Sequence, residues 1–520
     1  MHLEPTKASC EIGMSVAQID RFSMINKKGG AGIFRRIPIS FFPFLFSILI
    51  INASQAALPQ IQYLPGWPVP TNGSATSTIS VADLDGNGEK DIIFGDYSYI
   101  GQNDWWLYVK APNGSDKPGW PINLAGCASS PVIADLNDDG TLEIIKPCGG
   151  LKVWNSNGTL RWQFPNPTGI VLANATVADL DNDGLLDIVV TCTSGGAIYV
   201  FDAQGNVMPG WPVVIPAQPG YDPPGTLVSA SIGDIDNDGL KEIVIGINDG
   251  TGSGYPSHVF CFKPDGSTCP GFPVGVSRKG FDSKVILADV DNDGYLEIII
   301  GKETSELNIY RDDGTLFPGY PIAQKARGIA AGDINRDGRL DMVFCPFAGN
   351  NWMEAFDINS AILLQNFPIS NPTGDGYLFS CEAPNLADLS DSNGLDIVTG
   401  AGKGGTVLDG KLYALNISGQ VVNGFPSPSL YHRALATGCS VADVDGNGTT
   451  DICCGSENDE STVPKHATVY CWDTGYPYNL DNVDWAMDGF DIAHTGRWRR
   501  LYHINKASSL LSFAGCQQNP

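Results

Sequence analysis

The chain has 520 residues, of which 57 are acidic and 31 basic, so its formal net charge is −26, and 42% of it is hydrophobic. A charge of that sign excludes a nucleic-acid binder, which needs a basic face. Length alone would allow several domains, but it is a soft prior that a repeat array overrides.

Near the N-terminus, Lys27, Lys28, Arg35 and Arg36 precede an apolar run at 37–51 and a small-residue stretch ending at Ala56. Basic, apolar and cleavable segments in that order predict a secretory signal. Residues 1–56 then form an N-terminal extension and signal peptide, with Met24 a candidate start. A membrane anchor is the alternative, but the run is shorter than the roughly 20 residues of a spanning helix. No membrane span is expected in the mature chain. Removing these 56 residues, which carry six basic and three acidic side chains, takes the formal charge to −29.

From Asp83 onward a nine-residue acidic loop is written eight times. Its copies start at Asp83, Asp135, Asp179, Asp234, Asp289, Asp333, Asp388 and Asp443, at steps of 52, 44, 55, 55, 44, 55 and 55 residues. Self-similarity at that period marks a repeat architecture. One repeat domain is expected over 57–498, followed by a C-terminal tail, 499–520.

Each copy reads as four short strands separated by turn residues. The residue before the loop is always tiny (Ala82, Ala134, Ala178, Gly233, Ala288, Gly332, Ala387 and Ala442), as on a strand crowded near a central axis. After the loop comes an unalternating apolar run, such as that from Ile243 or Ile298, which predicts a strand buried on both faces. A third strand ends in a hairpin turn such as that at Asp312 or Pro264. The fourth carries an aromatic followed by proline: Trp67, Trp120, Trp211, Phe272, Tyr320, Phe367 and Phe425, with a looser form from Trp162 to Pro165. Proline in a ladder belongs on an edge, so this is the outer strand. Its aromatic is read as a plug between neighbouring units, with sugar stacking the alternative.

The predicted fold is therefore an all-β β-propeller of eight four-stranded blades with seven the alternative. The strand around Trp67 has no loop of its own and can complete the eighth blade, whose first three strands lie near Ser440, Asp451 and Thr468. Twelve of the thirteen cysteines remain after signal removal, an even number that fits an oxidising compartment. The layout pairs Cys261 with Cys269 across a hairpin and Cys127 with Cys148 within one repeat. Cys192, Cys453 and Cys454 read equally well as buried free thiols.

Loop positions 1, 3, 5 and 9 offer side-chain oxygens. They are Asp83, Asp85, Asn87 and Asp91 in the first copy; Asp135, Asn137, Asp139 and Glu143 in the second; and Asp179, Asp181, Asp183 and Asp187 in the third. The fourth has Asp234, Asp236, Asp238 and Glu242; the fifth Asp289, Asp291, Asp293 and Glu297; the sixth Asp333, Asn335, Asp337 and Asp341; the eighth Asp443, Asp445, Asn447 and Asp451. Position 6 is Gly, suited to a sharp turn. With a backbone carbonyl near position 7, as at Leu185, this is the oxygen-rich set that Ca²⁺ prefers. It lacks the His and Cys of Zn²⁺ sites. An Asx-rich hairpin without an ion is the bland alternative, but close carboxylates repel one another without a cation. Seven to eight Ca²⁺ sites are expected. The seventh loop is the exception, because Ser390 stands at its position 3 and Gly394 falls one place late. All eight copies together hold 26 carboxylates at these positions, so eight divalent ions would bring the mature charge near −13.

The pattern D-x-D-x-D-G-x-x-D between strands, followed by an apolar run and Gly, resembles the FG-GAP repeat of integrin α-subunit propellers and the VCBS repeats of secreted bacterial proteins. The resemblance spans about 64–498, including a closing stretch from Trp485 like the tail that follows such repeats. It implies calcium held through positions 1, 3, 5, 7 and 9. Integrin propellers have seven blades, whereas eight loops favour eight, as in the related rhamnogalacturonan lyases.

Opposite the acidic loops lie longer, irregular connections that start at Ser98, Ile247, Phe347, Gly400 and Ser456. Binding concentrates in such variable loops on a rigid scaffold, and Tyr99, Trp105, Tyr221, Tyr255, Trp352, Tyr377, Tyr431 and His432 offer aromatic surface there. Lys284, Arg327 and Glu382 precede first strands, at the mouth of the channel. The expected function is a secreted, periplasmic or cell-surface calcium-binding module, monomeric, that recognises a glycan or an extracellular protein. A polysaccharide lyase is the runner-up and would need a base such as His432 or Lys284. The sequence has no nucleophile elbow, zincin helix or phosphate loop, so an enzyme is the less favoured reading.

Overall fold

Tiny residues before each acidic loop and apolar runs after it come together as antiparallel pairs. The computed structural model describes residues 61–485 apart from 74, 98–104, 125–128, 168–170, 216–228, 248–256, 277–283, 302–305, 346–351, 372, 375, 380–382, 391–393, 404–408, 429, 431–437, 457–465 and 480–482. The signal segment, Cys127, the tail, and most of the irregular connections lie outside the described residues. Of two compact units, Met1–Ala57 and Leu58–Pro520, the second contains all the described structure.

The described residues form eight antiparallel sheets, one per repeat, and the unit is an all-β, eight-bladed β-propeller. Blade 3 shows the plan: Val171–Ala178, Asp187–Ser194, Ala197–Phe201 and Val213–Val214 pair in sequence order. First strands of most successive blades lie side by side, which identifies them as the inner ones. Second strands are buried throughout, as with Ile243, Val244 and Ile245 in blade 4 and Ile298, Ile299 and Ile300 in blade 5. The ring closes as the lone Trp67 strand predicts. Ser440–Ala442, Thr449–Gly455 and Thr468–Pro477 are joined by Gln62–Tyr63 and Val69–Pro70, with Tyr63 opposite Trp472 and Val69 opposite Val469. A connection that the sequence did not suggest follows: Val483–Trp485 pairs with the inner strand of blade 7, Asn385–Ala387.

At the rim, the aromatic of each aromatic-proline pair is buried, from Trp67 and Trp120 at 6% exposure to Phe425 at 9%. All seven of these peptide bonds are cis. In blades 1 and 3 the pair stands immediately before the outer strand, Ile122–Leu124 or Val213–Val214. The rings are plugs rather than sugar platforms, and their polar ends reach the next blade. The Trp67, Trp120, Trp162 and Trp211 indoles donate to the carbonyls of Pro112, Ser156, Ala203 and Pro264, and Tyr320 Oη donates to Ile358 O. Gly210, just before Trp211, closes the seam: a Cβ there would lie 2.0 Å from Asp265 O, so no larger residue fits.

At the hub, the joints are polar. Ser80, Thr176, Ser231 and Ser440 each donate a hydroxyl hydrogen bond to the inner strand of the next blade, at Pro131, Ala230, Val285 and Ile79, and Asn385 Nδ2 does so to Cys439 O. Each stands three residues before its loop. The Ser440 bond spans the point where the last blade meets the first.

Cys261 pairs with Cys269 across the blade 4 hairpin, as its spacing predicts. Cys453 and Cys454, which read as well as free thiols, are instead bonded to Cys471 and Cys439. Cys148 is also disulfide-bonded, and Cys192 is a buried free thiol. Among the described residues no helix is long and apolar enough to cross a membrane.

Candidate metal centres

Every loop bridges one pair of the inner ladder. The tiny residue before position 1 lies directly opposite the acid at position 9 in all eight blades: Ala82 faces Asp91, Ala134 Glu143, Ala178 Asp187 and Gly233 Glu242, and so on to Ala442 with Asp451. A large side chain at that point would occupy the space over the carboxylate, a second reason for the tiny residue beside crowding at the axis.

Backbone donors then shape the cup. The N–H of the apolar residue at position 2 donates to one oxygen of the position 9 acid, for example Leu180 to Asp187 at 2.9 Å, Ile235 to Glu242 at 2.9 Å and Val444 to Asp451 at 2.8 Å. The N–H of the position 6 glycine donates to position 1, as Gly239 does to Asp234 at 3.1 Å and Gly448 to Asp443 at 3.0 Å. Position 5 accepts from the N–H of position 7, as Asp183 does from Leu185 at 2.8 Å. This explains why Asn serves as well as Asp there: Asn87 and Asn447 accept the same bond from Glu89 and Thr449.

Two features of the loop were not read from the sequence. Position 2 is always an apolar anchor, from Leu84 and Leu136 to Val444, each at 3% exposure or less. Position 4 adopts a left-handed backbone, with φ of 60° at Asn182 and 72° at Gly446. Gly and Asn tolerate that conformation, and their alternation with the position 6 glycine is the signal that could have revealed it. Asp138 at φ 54° and Arg336 at φ 55° are the departures from Gly and Asn, and the Arg336 guanidinium donates to Asp388 of the seventh loop.

Four loops bring three carboxylates within reach of a single ion. These are Asp179, Asp181 and Asp187; Asp234, Asp236 and Glu242; Asp289, Asp291 and Glu297; and Asp443, Asp445 and Asp451, with the oxygens of each group within 4.8 Å of one another. They are positions 1, 3 and 9. Asp183, Asp238 and Asp293 at position 5 are exposed and stand outside these groups. In the sixth loop Asn335 replaces an acid at position 3, and its Nδ2 donates to Asp337 while Asp341 takes the N–H of Ile334. In the first loop Lys117 reaches Asp85 and Asp91, and in the second Arg161 reaches Glu143. Around Asp388 part of the seventh loop lies outside the described residues, and Ser390 Oγ donates to Asp396.

Hydrogen bonds within the loops leave a defined remainder. Glu242 Oε1, Asp341 Oδ1 and Asp451 Oδ1 are buried with no hydrogen-bond partner, and so are Asp179 Oδ1, Asp234 Oδ1 and Asp443 Oδ1. Buried carboxylate oxygens are costly to leave unpaired. Burial, helped by the neighbouring acids, pushes Asp187 and Glu242 up to about 7 and Glu297, Asp341 and Asp451 up to about 8, against backbone N–H bonds that pull the other way. A hard divalent cation supplies what these oxygens lack, so the donor set fits such an ion better than an ion-free hairpin.

Of the residues expected on the opposite face, Tyr99, Tyr221, Tyr255, Glu382, Tyr431 and His432 lie outside the described residues, as does the Arg327 side chain. Trp105 and Trp352 open the third strands of blades 1 and 6 and are partly exposed. Tyr377 is buried beneath Lys403 and Lys411, whose ammonium groups lie 4.8 and 4.3 Å from its ring centre.

The family model of the FG-GAP-like repeat matches residues 83–145, 179–245, 234–300 and 289–344. No curated protein gives a significant match. Among solved structures, the chain is similar to the biofilm matrix protein Bap1 of V. cholerae, with 13% identity over 82% of this chain and 92% of that one at a TM-score of 0.39. BamB from Moraxella catarrhalis is 14% identical over 79% and 99%, at 0.44. The Dos1 propeller is 14% identical over 80% and 96%, at 0.46. At identities this low none of them bears on what this chain binds.

Proposed function

Since this chain is an FG-GAP-like repeat propeller, we propose that it is a secreted or cell-surface module in which bound calcium fastens the ring and the opposite face binds a glycan or an extracellular protein. The observation that carries the calcium part is the set of buried, partnerless oxygens at positions 1 and 9. Positions 1, 3, 5 and 9 of the loops, with the position 7 carbonyl, would hold the ion. Calcium supplies charge neutralisation and a bridge between the two ends of the inner hairpin, and the loop residues orient it.

The extracytoplasmic setting draws support from three disulfides among the described residues, since such bonds persist in oxidising compartments. In this reading residues 1–56 are removed on export, 57–498 form the module and 499–520 are a tail. Ligand recognition falls to the face where the blades differ, with Trp105 and Trp352 as candidate contacts. Calcium-dependent binding to a glycan and protein-ligand array tests the reading, with Trp352→Ala expected to weaken the signal. An array on which nothing binds, with calcium or with chelator, would contradict the recognition role.

A further inference from the structure

The loops of blades 1 and 2 differ from the others through a residue that lies outside the acidic motif. We propose that these two blades carry built-in cations: the Lys117 ammonium and the Arg161 guanidinium take, at their own loops, the place that a calcium ion takes at the third, fourth, fifth and eighth. This rests on the calcium reading above.

Lys117 Nζ lies 2.5 Å from Asp85 Oδ2 and 3.1 Å from Asp91 Oδ1, so one ammonium bridges loop positions 3 and 9. In the third loop the same two positions, Asp181 and Asp187, converge with Asp179 as a group able to hold an ion. The bridge is enclosed at its position 9 end, with the Lys117 side chain 16% exposed and that of Asp91 2%, and open at position 3, where Asp85 is 44% exposed. In blade 2, Arg161 Nη1 lies 2.5 Å from Glu143 Oε1, the position 9 acid, which is 1% exposed. A fixed positive charge against position 9 occupies one of its oxygens, Asp91 Oδ1 in blade 1 while Asp91 Oδ2 stays without a hydrogen-bond partner, and repels an incoming divalent ion at short range.

The two basic residues share one structural position. Lys117 follows Asp116, which bridges to Lys110, and Arg161 follows Leu160, which pairs with Trp154. The equivalent in blade 3 is Met208, which follows Val207, the bridge partner of Phe201. Both Lys117 and Met208 donate their N–H back to the third strand, at Val109 and Val200. By the same hydrogen bond, blade 4 has the disulfide-bonded Cys269 here and blade 5 has Phe317.

Basic residues elsewhere near the loops sit in another register. Lys263 and Arg311 directly follow the third strands Ser257–Phe262 and Leu307–Tyr310. Lys263 reaches Asp236 and Asp238 at 3.3 and 2.8 Å, and Arg311 reaches Asp291 at 3.5 Å. These are positions 3 and 5, which leaves Glu242 and Glu297 at position 9 within groups that can hold an ion. Composition alone does not make the difference: the eighth loop carries the same set as the first, Asp443, Asp445, Asn447 and Asp451 against Asp83, Asp85, Asn87 and Asp91, yet its acids converge as a group able to hold an ion, so the distinction lies in Lys117.

Blades 1 and 3 therefore define an exchange. Lys117→Met gives blade 1 the residue that blade 3 carries, and Met208→Lys does the reverse at a half-buried site that tolerates a long side chain. Native mass spectrometry of the purified chain in calcium, with folding followed by circular dichroism, counts the ions. Lys117→Met is expected to hold one calcium more than wild type, and Met208→Lys one fewer; if one variant does not fold, the other decides. An unchanged count in either folded variant overturns the inference. A wild-type chain that binds no calcium overturns the calcium reading itself, and the inference with it.

Discussion

Neighbouring blades meet at the hub and again at the rim, and the two joints use opposite chemistry. At the rim a buried aromatic fills the seam and its N–H or O–H caps a carbonyl of the next blade, as Trp211 does with Pro264. At the hub there is no room for a ring beside strands that carry Ala or Gly, so a single hydroxyl or amide crosses the seam, as Ser231 does to Val285. The difference shows where cohesion comes from. Aliphatic side chains of the inner strands and loops pack between blades as well, as Ile232 and Leu180 do, but a large aromatic fits only where the blades splay outward. Near the axis, the acidic loops bring carboxylates together in groups able to hold a cation, so in the proposed calcium reading an ion would supply at the hub what the aromatic supplies at the rim.

That division can be broken from the rim first. Trp211→Ala removes a large buried side chain and its indole bond, with an expected cost of about 3–5 kcal/mol in chemical denaturation. A loss near that of an exposed substitution would show that the aromatics are not plugs.

A seam between blades 1 and 2 gives a pH test. Lys146 is fully buried, donates to Ser129 O, and lies beside Gly95 of blade 1. Burial pulls its ammonium down to about 7, against an opposing pull from Asp96. Between that value and the ordinary lysine range near 10.5, the unfolded chain binds the extra proton, so this group makes stability rise with pH across that window and adds no slope below it. Lys146→Met is expected to flatten the rise in denaturation midpoint between about pH 7 and 10; an identical slope in both chains would contradict the assignment.

The smallest effect belongs to the hub. Ser231→Ala leaves Val285 O without its side-chain donor and should cost about 1 kcal/mol, read from the same denaturation curves. A cost as large as that of Trp211→Ala would erase the distinction between the joints.

Much of this arrangement was legible because repetition supplies its own control. Asp179 alone would say little, but eight loops with Gly at or near the turn, each led by Ala or Gly, specify a hairpin, its register and its inner place. The aromatic-proline pairs marked the rim, and the lone Trp67 strand marked the closure. What escaped was whatever varies between copies or acts across blades. The hub donors Ser80, Thr176, Ser231, Asn385 and Ser440 recur in five copies only, and their acceptors are carbonyls, which have no sequence signature. Lys117 and Arg161 sit about 30 and 20 residues past the acids they approach, and their shared position appears only once the hairpins are in register. Likewise the pairing of Val483–Trp485 with blade 7 joins segments that no local pattern links.

The central claim is that calcium holds the hub, and thermal unfolding with calcium and then with excess chelator tests it most directly. A ligand that binds only the folded state stabilises it by about 2.7 kcal/mol per site at a hundredfold excess over its dissociation constant, and four loops present complete acidic groups. The unfolding midpoint should therefore fall steeply on chelation and return when calcium is restored. A midpoint that does not move would contradict the account.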